Sequence, residues 1–340
     1  MKLSDFDYQL PKELIAQFPL QKRDSSSLLV LERSSGKISH QRFIDLPQYL
    51  NPKDALILND TRVIPARLFA RRKTKGKVEI FLLEKKDNKI FRCLVRPKKI
   101  KMGETVILNN NSLSATILEK NGTDCLVEFK ARGNIQQEIR RLGQMPLPPY
   151  IRRPADERDR LTYQTVYAKK EGAVASPTAG LHFTKQILNQ IKKIGTKTGF
   201  LTLHVGWGTF RPIRAEDVAS HKMEEEHFVL PTTVVNLVNK TKKENGRVFC
   251  VGTTTTRVLE AVADSYGKVS AKKGKTDLFI YPGYRFKVVD CLLTNFHLPK
   301  STLFLLVCAF AGRDLIFKAY QEAIKERYRF YSYGDAMLIL

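Results

Sequence analysis

Between about Ala66 and Lys130 the chain changes its hydrophobic period, and this change constrains the fold more than any other feature. In "KVEIFLLEK" and "KIFRCLVRP" apolar residues fall on alternate positions, with "KDN" between them as a turn. "ETVILNNNSLSATILEKNGTDCLVEFK" repeats the pattern, with Asn109-Asn110-Asn111 and Asn121-Gly122 as turns. Asn-Gly accepts the positive φ that a tight hairpin demands. Short strands at this spacing predict a small antiparallel barrel, although one curled sheet satisfies the same pattern.

Outside this stretch the pattern belongs to helices and strands in alternation. A short helix over Pro11 to Ala16 precedes a hairpin of "SLLVLER" and "KISHQRF", turned by Ser34-Ser35-Gly36, and then the strand that opens "DALILNDTRVIPARL". Further on, a helix is predicted over Lys185 to Ile194, with Thr184 as its cap, Gly195 as its stop and Ile187, Leu188, Ile191 and Ile194 on one face. "TGFLTLHV" reads as a strand, "TTVVNLVNKTKKENG" as a helix ended by Gly246, and "RVFCVG" as a buried strand leading into the helix "TTTTRVLEAVA". "DLFIY" and "VVDCLLT" read as strands, and "STLFLLVCAFAG" and "DLIFKAYQEAIKERY" as helices. The expected fold class is α/β, a mixed sheet with packed helices, carrying an inserted small antiparallel β-barrel. Residues 1–62 and 151–340 would form the α/β domain, and residues 63–150 the barrel. A helix from Asn134 to Gly143 closes the barrel segment, and Pro-rich "PLPPY" follows as a linker. At 340 residues the chain exceeds what one hydrophobic core usually organises.

Lys and Arg number 58 against 34 Asp and Glu, a net charge of +24. The excess is clustered, in "ARRKTKGK", "RPKKIK", "RRLG", "IRRP" and "KKGK", which points to a polyanion such as nucleic acid. The five cysteines are far apart and form no C-x-x-C pair, and the histidines lack H-x-x-x-H spacing, so no metal is expected. The N-terminus is too acidic for a signal peptide, and "LFLLVCAFA" is about half a membrane span. A cytoplasmic protein away from membranes is therefore expected.

Polar loops sit where ligands bind in such sheets, beyond the carboxyl ends of strands. "ASPTAGLHFT" leads into a helix N-terminus, where free N–H groups favour anions; a cap with Gly180 as its turn explains it equally. In "HVGWGTFRP", Gly206 and Gly208 flank Trp207, which reads either as a stacking ring or as a core anchor. "VGTTTTRVLE" has the shape of an anion cradle but lacks the Lys of a P-loop, and threonine caps also account for it. "TNFHLPKSTL" brings Asn295, Phe296 and His297 to a strand end, and "YSYGDAM" adds Asp335 after a glycine turn.

These segments, with "LILNDTRVIPARL" and "PLPPYIRR" before them and "TDLFIYPGYRF" and "YRFYSYGDAMLI" among them, run in one order from end to end. Together they resemble the S-adenosylmethionine:tRNA ribosyltransferase-isomerase family of queuosine biosynthesis. The sequence departs from the family pattern at Trp207, Thr255, Glu224 and His227. The resemblance implies S-adenosylmethionine as co-substrate. Its ribosyl unit would move to 7-aminomethyl-7-deazaguanine at the wobble position of a GUN-type tRNA anticodon loop. Epoxyqueuosine-tRNA would form, with adenine and methionine released, and the enzyme is expected to act as a monomer. A rival S-adenosylmethionine methyltransferase would need a Gly-rich first turn that is not evident. A non-catalytic RNA-binding protein would leave the polar loops unexplained.

That chemistry needs a base near the acidified C5′ protons, an acid near adenine and a charge partner for the sulfonium. The candidates are His182, His204 and His297 as acids or bases, with Asp60, Glu226 and Asp335 as bases or charge partners. Thr178, Gly180, Phe183, Gly206, Gly208, Phe210, Thr253, Thr254, Arg257, Asn295 and Phe296 are the expected contacts to S-adenosylmethionine. Arg62, Arg67, Arg71, Lys98, Lys99 and Arg152 are the expected contacts to tRNA.

Overall fold

The structure, a computed structural model, describes residues 1–109, 112–210, 213 and 215–340, without the side chains of Thr209 and Phe210. The expected turn at Asn110-Asn111, the ring of Phe210 and the Arg211-Pro212 end of its motif lie outside the described residues.

In chain order the first strands are β1 (Ser27–Leu31), β2 (Ile38–Arg42), β3 (Ala55–Asn59) and β4 (Thr61–Val63). Six more follow: β5 (Arg67–Arg71), β6 (Lys77–Lys85), β7 (Ile90–Arg96), β8 (Thr105–Leu108), β9 (Leu113–Asn121) and β10 (Asp124–Ala131). These six close into an antiparallel barrel in the order β10-β7-β6-β5-β8-β9. Strict alternation along β7 and β10 buries Phe91, Cys93, Val95, Val127 and Phe129, so one core fills the inside. Phe91 and Phe129 meet edge to face, with ring centroids 5.5 Å apart.

Helix α1 (Ile135–Leu142) starts where Asn134 accepts a hydrogen bond from the Gln137 N–H, 3.1 Å away. The following "PLPPY" is not a free linker. Met145 and Leu147 are buried in a small cluster with Tyr163 and Leu181. Then come α2 (Asp159–Thr162), β11 (Lys170–Ala173), α3 (Lys185–Lys193), β12 (Lys197–Leu203), β13 (Glu226–Leu230), α4 (Thr232–Lys243), β14 (Val248–Val251) and α5 (Thr253–Val262). The chain ends with β15 (Lys272–Thr276), β16 (Cys291–Asn295), α6 (Thr302–Ala311), α7 (Arg313–Lys325) and β17 (Ala336–Ile339).

Nine strands form one mixed sheet in the order β15-β13-β12-β3-β14-β16-β17-β1-β2. Its centre, β12-β3-β14-β16, is parallel throughout. β4 and β11 pair apart from it as a parallel two-stranded ribbon.

Two expectations change. "DLFIY" is not a strand; the strand is the charged "KKGKT" just before it, an edge strand whose outward positions tolerate lysine. Ile280 instead enters the main core, with Leu278 and Phe279 packed against it. The turn after α4 takes its positive φ at Asn245 (57°), not at Gly246. Gly246 is needed because a Cβ there would lie 2.1 Å from the Lys53 carbonyl oxygen. The C-terminal "AMLI" is a fully buried strand between β16 and β1.

Candidate active site

Parallel neighbours send their following loops out at the same edge of a sheet. Here the loops after Asn59, Leu203, Val251 and Asn295 all leave there. The Asn59 side chain ties three of them. Its Oδ1 accepts from the Thr61 and Leu203 N–H groups (3.1 and 3.0 Å), and its Nδ2 donates to the Leu203 carbonyl (3.0 Å) and to Thr254 Oγ1 (3.3 Å).

A cavity opens above this edge, lined by Ser176 to Ala179, Gly252 to Thr254, Thr294 to Leu298, Tyr150, Tyr331 and Ser332. Helix α5 points its N-terminus at this cavity. Its cap is Gly252 (φ 86°), which has no side chain to satisfy the first-turn N–H groups. By contrast, Ser301 caps α6 by accepting from the Phe304 N–H at 3.2 Å. Two buried atoms of the lining, Ser176 Oγ and Asn295 Oδ1, have no hydrogen-bond partner among the described residues. An unmade bond at such an atom costs about 1–3 kcal/mol.

Behind Asn295 lies His182, buried and stacked on Phe43 with centroids 4.9 Å apart. Asn295 Nδ2 donates to its Nε2 at 3.2 Å, so the ring proton sits on Nδ1 and goes to Ser26 Oγ at 2.7 Å. Both ring nitrogens are spent. Burial, aided by Arg23 and Arg329, lowers the pKa of His182 to about 3. Burial does the same to His297, whose Nε2 meets Thr294 Oγ1 at 2.7 Å.

This has a measurable consequence. Between about 3 and the ordinary 6.5, the unfolded chain binds two protons that the folded chain refuses. Stability from these histidines is complete above about 6.5 and is lost as pH falls, by about 1 kcal/mol per pH unit for each. Asp335, whose pKa is raised by burial, acts in the opposite sense and offsets part of the loss. Thermal midpoints should therefore drop steadily from pH 6.5 to 4.5, and His297→Gln should flatten that slope; parallel slopes would refute the assignment.

A second, wider cleft lies between the barrel and the sheet. Leu82, Glu84, Phe91 and Arg92 line it from the barrel, and Gly172, His204, Gly206, Trp207 and Glu224 to Glu226 from the other side. Val205 lines both cavities, so the two adjoin. His204 is held by Thr61 Oγ1 at Nδ1 (2.8 Å) and lies against Gly172, where a Cβ would come within 2.8 Å of the ring. Burial lowers its pKa, with His227 adding and Asp60 opposing, which favours the neutral imidazole. Glu226 and Arg257 form a buried ion pair, 5% and 4% exposed. Glu226 Oε1 also accepts from the Gly206 N–H at 2.7 Å, and Arg257 Nε donates to the Leu278 carbonyl at 2.9 Å. Trp207 packs on Phe81 of the barrel with centroids 4.6 Å apart.

The sequence profile of the family described as "Queuosine biosynthesis protein" matches residues 3–339. The chain belongs to that family. It is 51% identical to the S-adenosylmethionine:tRNA ribosyltransferase-isomerase of Symbiobacterium thermophilum and 49% identical to the one of Sulfurihydrogenibium sp., with both chains covered completely in each case. A crystal structure of S-adenosylmethionine tRNA ribosyltransferase from Thermotoga maritima is 38% identical, covers 99% of this chain and all of that one, and superposes with a TM-score of 0.58.

Within this queuosine-family fold the predicted residues separate into groups. Thr178, Thr253, Thr254, Asn295, Phe296 and His297 line the inner cavity, and His204, Gly206 and Glu226 line the cleft. Others face neither. Phe183 is fully buried between Phe43 and Tyr167, leaving no face for a base. Gly180 is shut by the Tyr167 hydroxyl, which a Cβ would approach to 2.2 Å. Asp335 accepts from the Ser27 and Arg329 N–H groups (2.9 and 2.8 Å), fastening β1 to the last loop. Asp60 takes the Thr202 hydroxyl at 2.6 Å. The Arg257 guanidinium is engaged by Glu226 and by the Leu278 backbone carbonyl. Gly208 backs onto the Glu224 carboxylate. Arg62, Arg71, Lys98, Lys99 and Arg152 are exposed, whereas Arg67 pairs with Glu79 at 3.3 Å over the Phe81 ring.

Sequence reasoning missed Ser176, Tyr150, Tyr331 and Ser332 in the inner cavity and Arg92 and Arg140 in the cleft. Ser176, Tyr150, Tyr331 and Ser332 all sat inside quoted motifs, which was the available signal. Among the described residues no helix is long and apolar enough to cross a membrane, and no three His, Cys, Asp or Glu side chains gather as a metal site requires.

Proposed function

We infer that the inner cavity holds S-adenosylmethionine and that the adjoining cleft receives the modified base of the tRNA. The protein is an S-adenosylmethionine:tRNA ribosyltransferase-isomerase of queuosine biosynthesis, using S-adenosylmethionine as co-substrate. The observation that carries the site reading is that Val205 lines both cavities, which sets the two side by side. His204 is the proton acceptor best suited to the chemistry. It lines the cleft, is anchored at Nδ1 by Thr61 Oγ1, and burial favours its neutral form. Glu226 and Arg257 support the 204–208 loop rather than touch substrate.

Residues 1–62 and 151–340 would act as the catalytic unit, and residues 63–150 as the barrel that helps hold the anticodon arm. The wobble base is single-stranded, so extruding it costs little. A GUN anticodon, a monomeric enzyme and a cytoplasmic setting complete the reading. Purified protein with S-adenosylmethionine and tRNA bearing 7-aminomethyl-7-deazaguanine should release adenine and methionine and leave the tRNA heavier by the epoxycyclopentanediol group, as mass spectrometry would read. Bound tRNA with no adenine released would defeat this reading.

A further inference from the structure

We propose that the inner cavity is an α-amino acid site that seats the methionyl end of S-adenosylmethionine, with Asn295 Oδ1 receiving the ammonium and the α5 N-terminus receiving the carboxylate. This rests on the reading of that cavity as the S-adenosylmethionine site.

The argument starts from the direction of one amide. Asn295 is 2% exposed and lines the cavity. Its Nδ2 donates to His182 Nε2 (3.2 Å), to the Tyr331 carbonyl (3.1 Å) and to the Asp335 carbonyl (3.4 Å). Turning the amide over would set its oxygen against two carbonyl oxygens, so Nδ2 stays there and Oδ1 is left to the cavity as an acceptor. It has no partner among the described residues. A buried acceptor kept in this state selects a ligand that donates. Ser176 Oγ, also buried and without a partner, lines the same cavity and offers a second oxygen.

The opposite demand comes from α5. Its ten residues begin at Thr253 behind a glycine cap, and among the described residues no side chain caps its first turn. The N–H groups there require an acceptor, and the helix end favours a negative one. A cavity that asks for a donor at Asn295 and an anion at Thr253 fits a zwitterion, and Val205, Leu298 and Leu303 supply an apolar wall for a thioether chain. His182 then has a defined task. Held by Ser26, it fixes the Asn295 amide and is a positioning residue.

The test uses the full-length protein and three probes: L-methionine, its deamino analogue 4-(methylthio)butanoate and its decarboxy analogue 3-(methylthio)propylamine. Methionine should bind, and each analogue should bind at least about tenfold more weakly, as loss of one buried charge-assisted contact implies. Asn295→Leu should remove the preference for methionine over the deamino analogue. Ser176→Ala, which is expected to fold, should narrow it. His182→Gln should raise KM for S-adenosylmethionine more than it lowers kcat, and His182→Asn, whose shorter amide cannot span Ser26 and Asn295, should raise it further. Equal binding of methionine and the deamino analogue, or discrimination unchanged in both Asn295→Leu and Ser176→Ala, overturns the proposal. If adenine is still released from S-adenosylmethionine, only this orientation fails and the functional reading stands; if no adenine is released, the functional reading fails instead.

Discussion

Arg257→Met should be the most damaging single substitution in the α/β part, lowering stability by roughly 3–5 kcal/mol, the usual result of breaking a buried ion pair. The change takes the guanidinium from a carboxylate that is only 5% exposed. Glu226 would then have to protonate or draw in water, and either response disturbs its bond to the Gly206 N–H. That bond sets the start of the loop that carries Trp207 beside the cleft. Turnover should therefore fall even at temperatures where the variant is folded. The double variant Arg257→Met with Glu226→Gln should recover a large part of the stability, because no buried charge remains, and much less of the turnover. Urea unfolding of the wild type, the single and the double variants measures this directly. A double variant no more stable than Arg257→Met would show that the cost is packing rather than charge.

Affinity for tRNA should fall about a thousandfold between 50 and 200 mM salt if some six phosphates are neutralised. The charge distribution supports an effect of this size. Some barrel cations are already balanced, as in Arg72 with Glu104 and Arg92 with Asp124. Arg71, Lys98 and Lys99 are exposed and form no ion pair among the described residues, which leaves them for phosphate. Lys98→Gln combined with Lys99→Gln should lower the slope of log K against log salt by about two. Trp207 is the sole tryptophan and lines the cleft, so its fluorescence reports the titration. An affinity indifferent to salt would remove the phosphate role from the barrel.

How much of this could be read in advance differs by element. The barrel was legible because its strands alternate and their turns are local: β7 and β10 show the predicted pattern residue by residue. Helix α3 was legible for the same reason, with Thr184 accepting from the Ile187 N–H at 3.2 Å as its cap. The edge strand β15 was not, because its sequence carries no hydrophobic signal and its hydrogen bonds come from β13, more than forty residues earlier.

The site divides along the same line. The sequence by itself determined that polar, glycine-bearing loops follow the strands of a parallel core. It also determined which family the order of those loops matches. Only the tertiary structure decided what each side chain does. Phe183 and Asp335 look as chemical in the sequence as Asn295 and His204. One is packed in the core, another fastens two backbone N–H groups, and the third is turned by His182, 113 residues away. Hydropathy and turn propensity act over a few residues, so the order of residues displays them. Burial and hydrogen-bond direction depend on partners brought from anywhere in the chain, and these exist only once the sheet has closed.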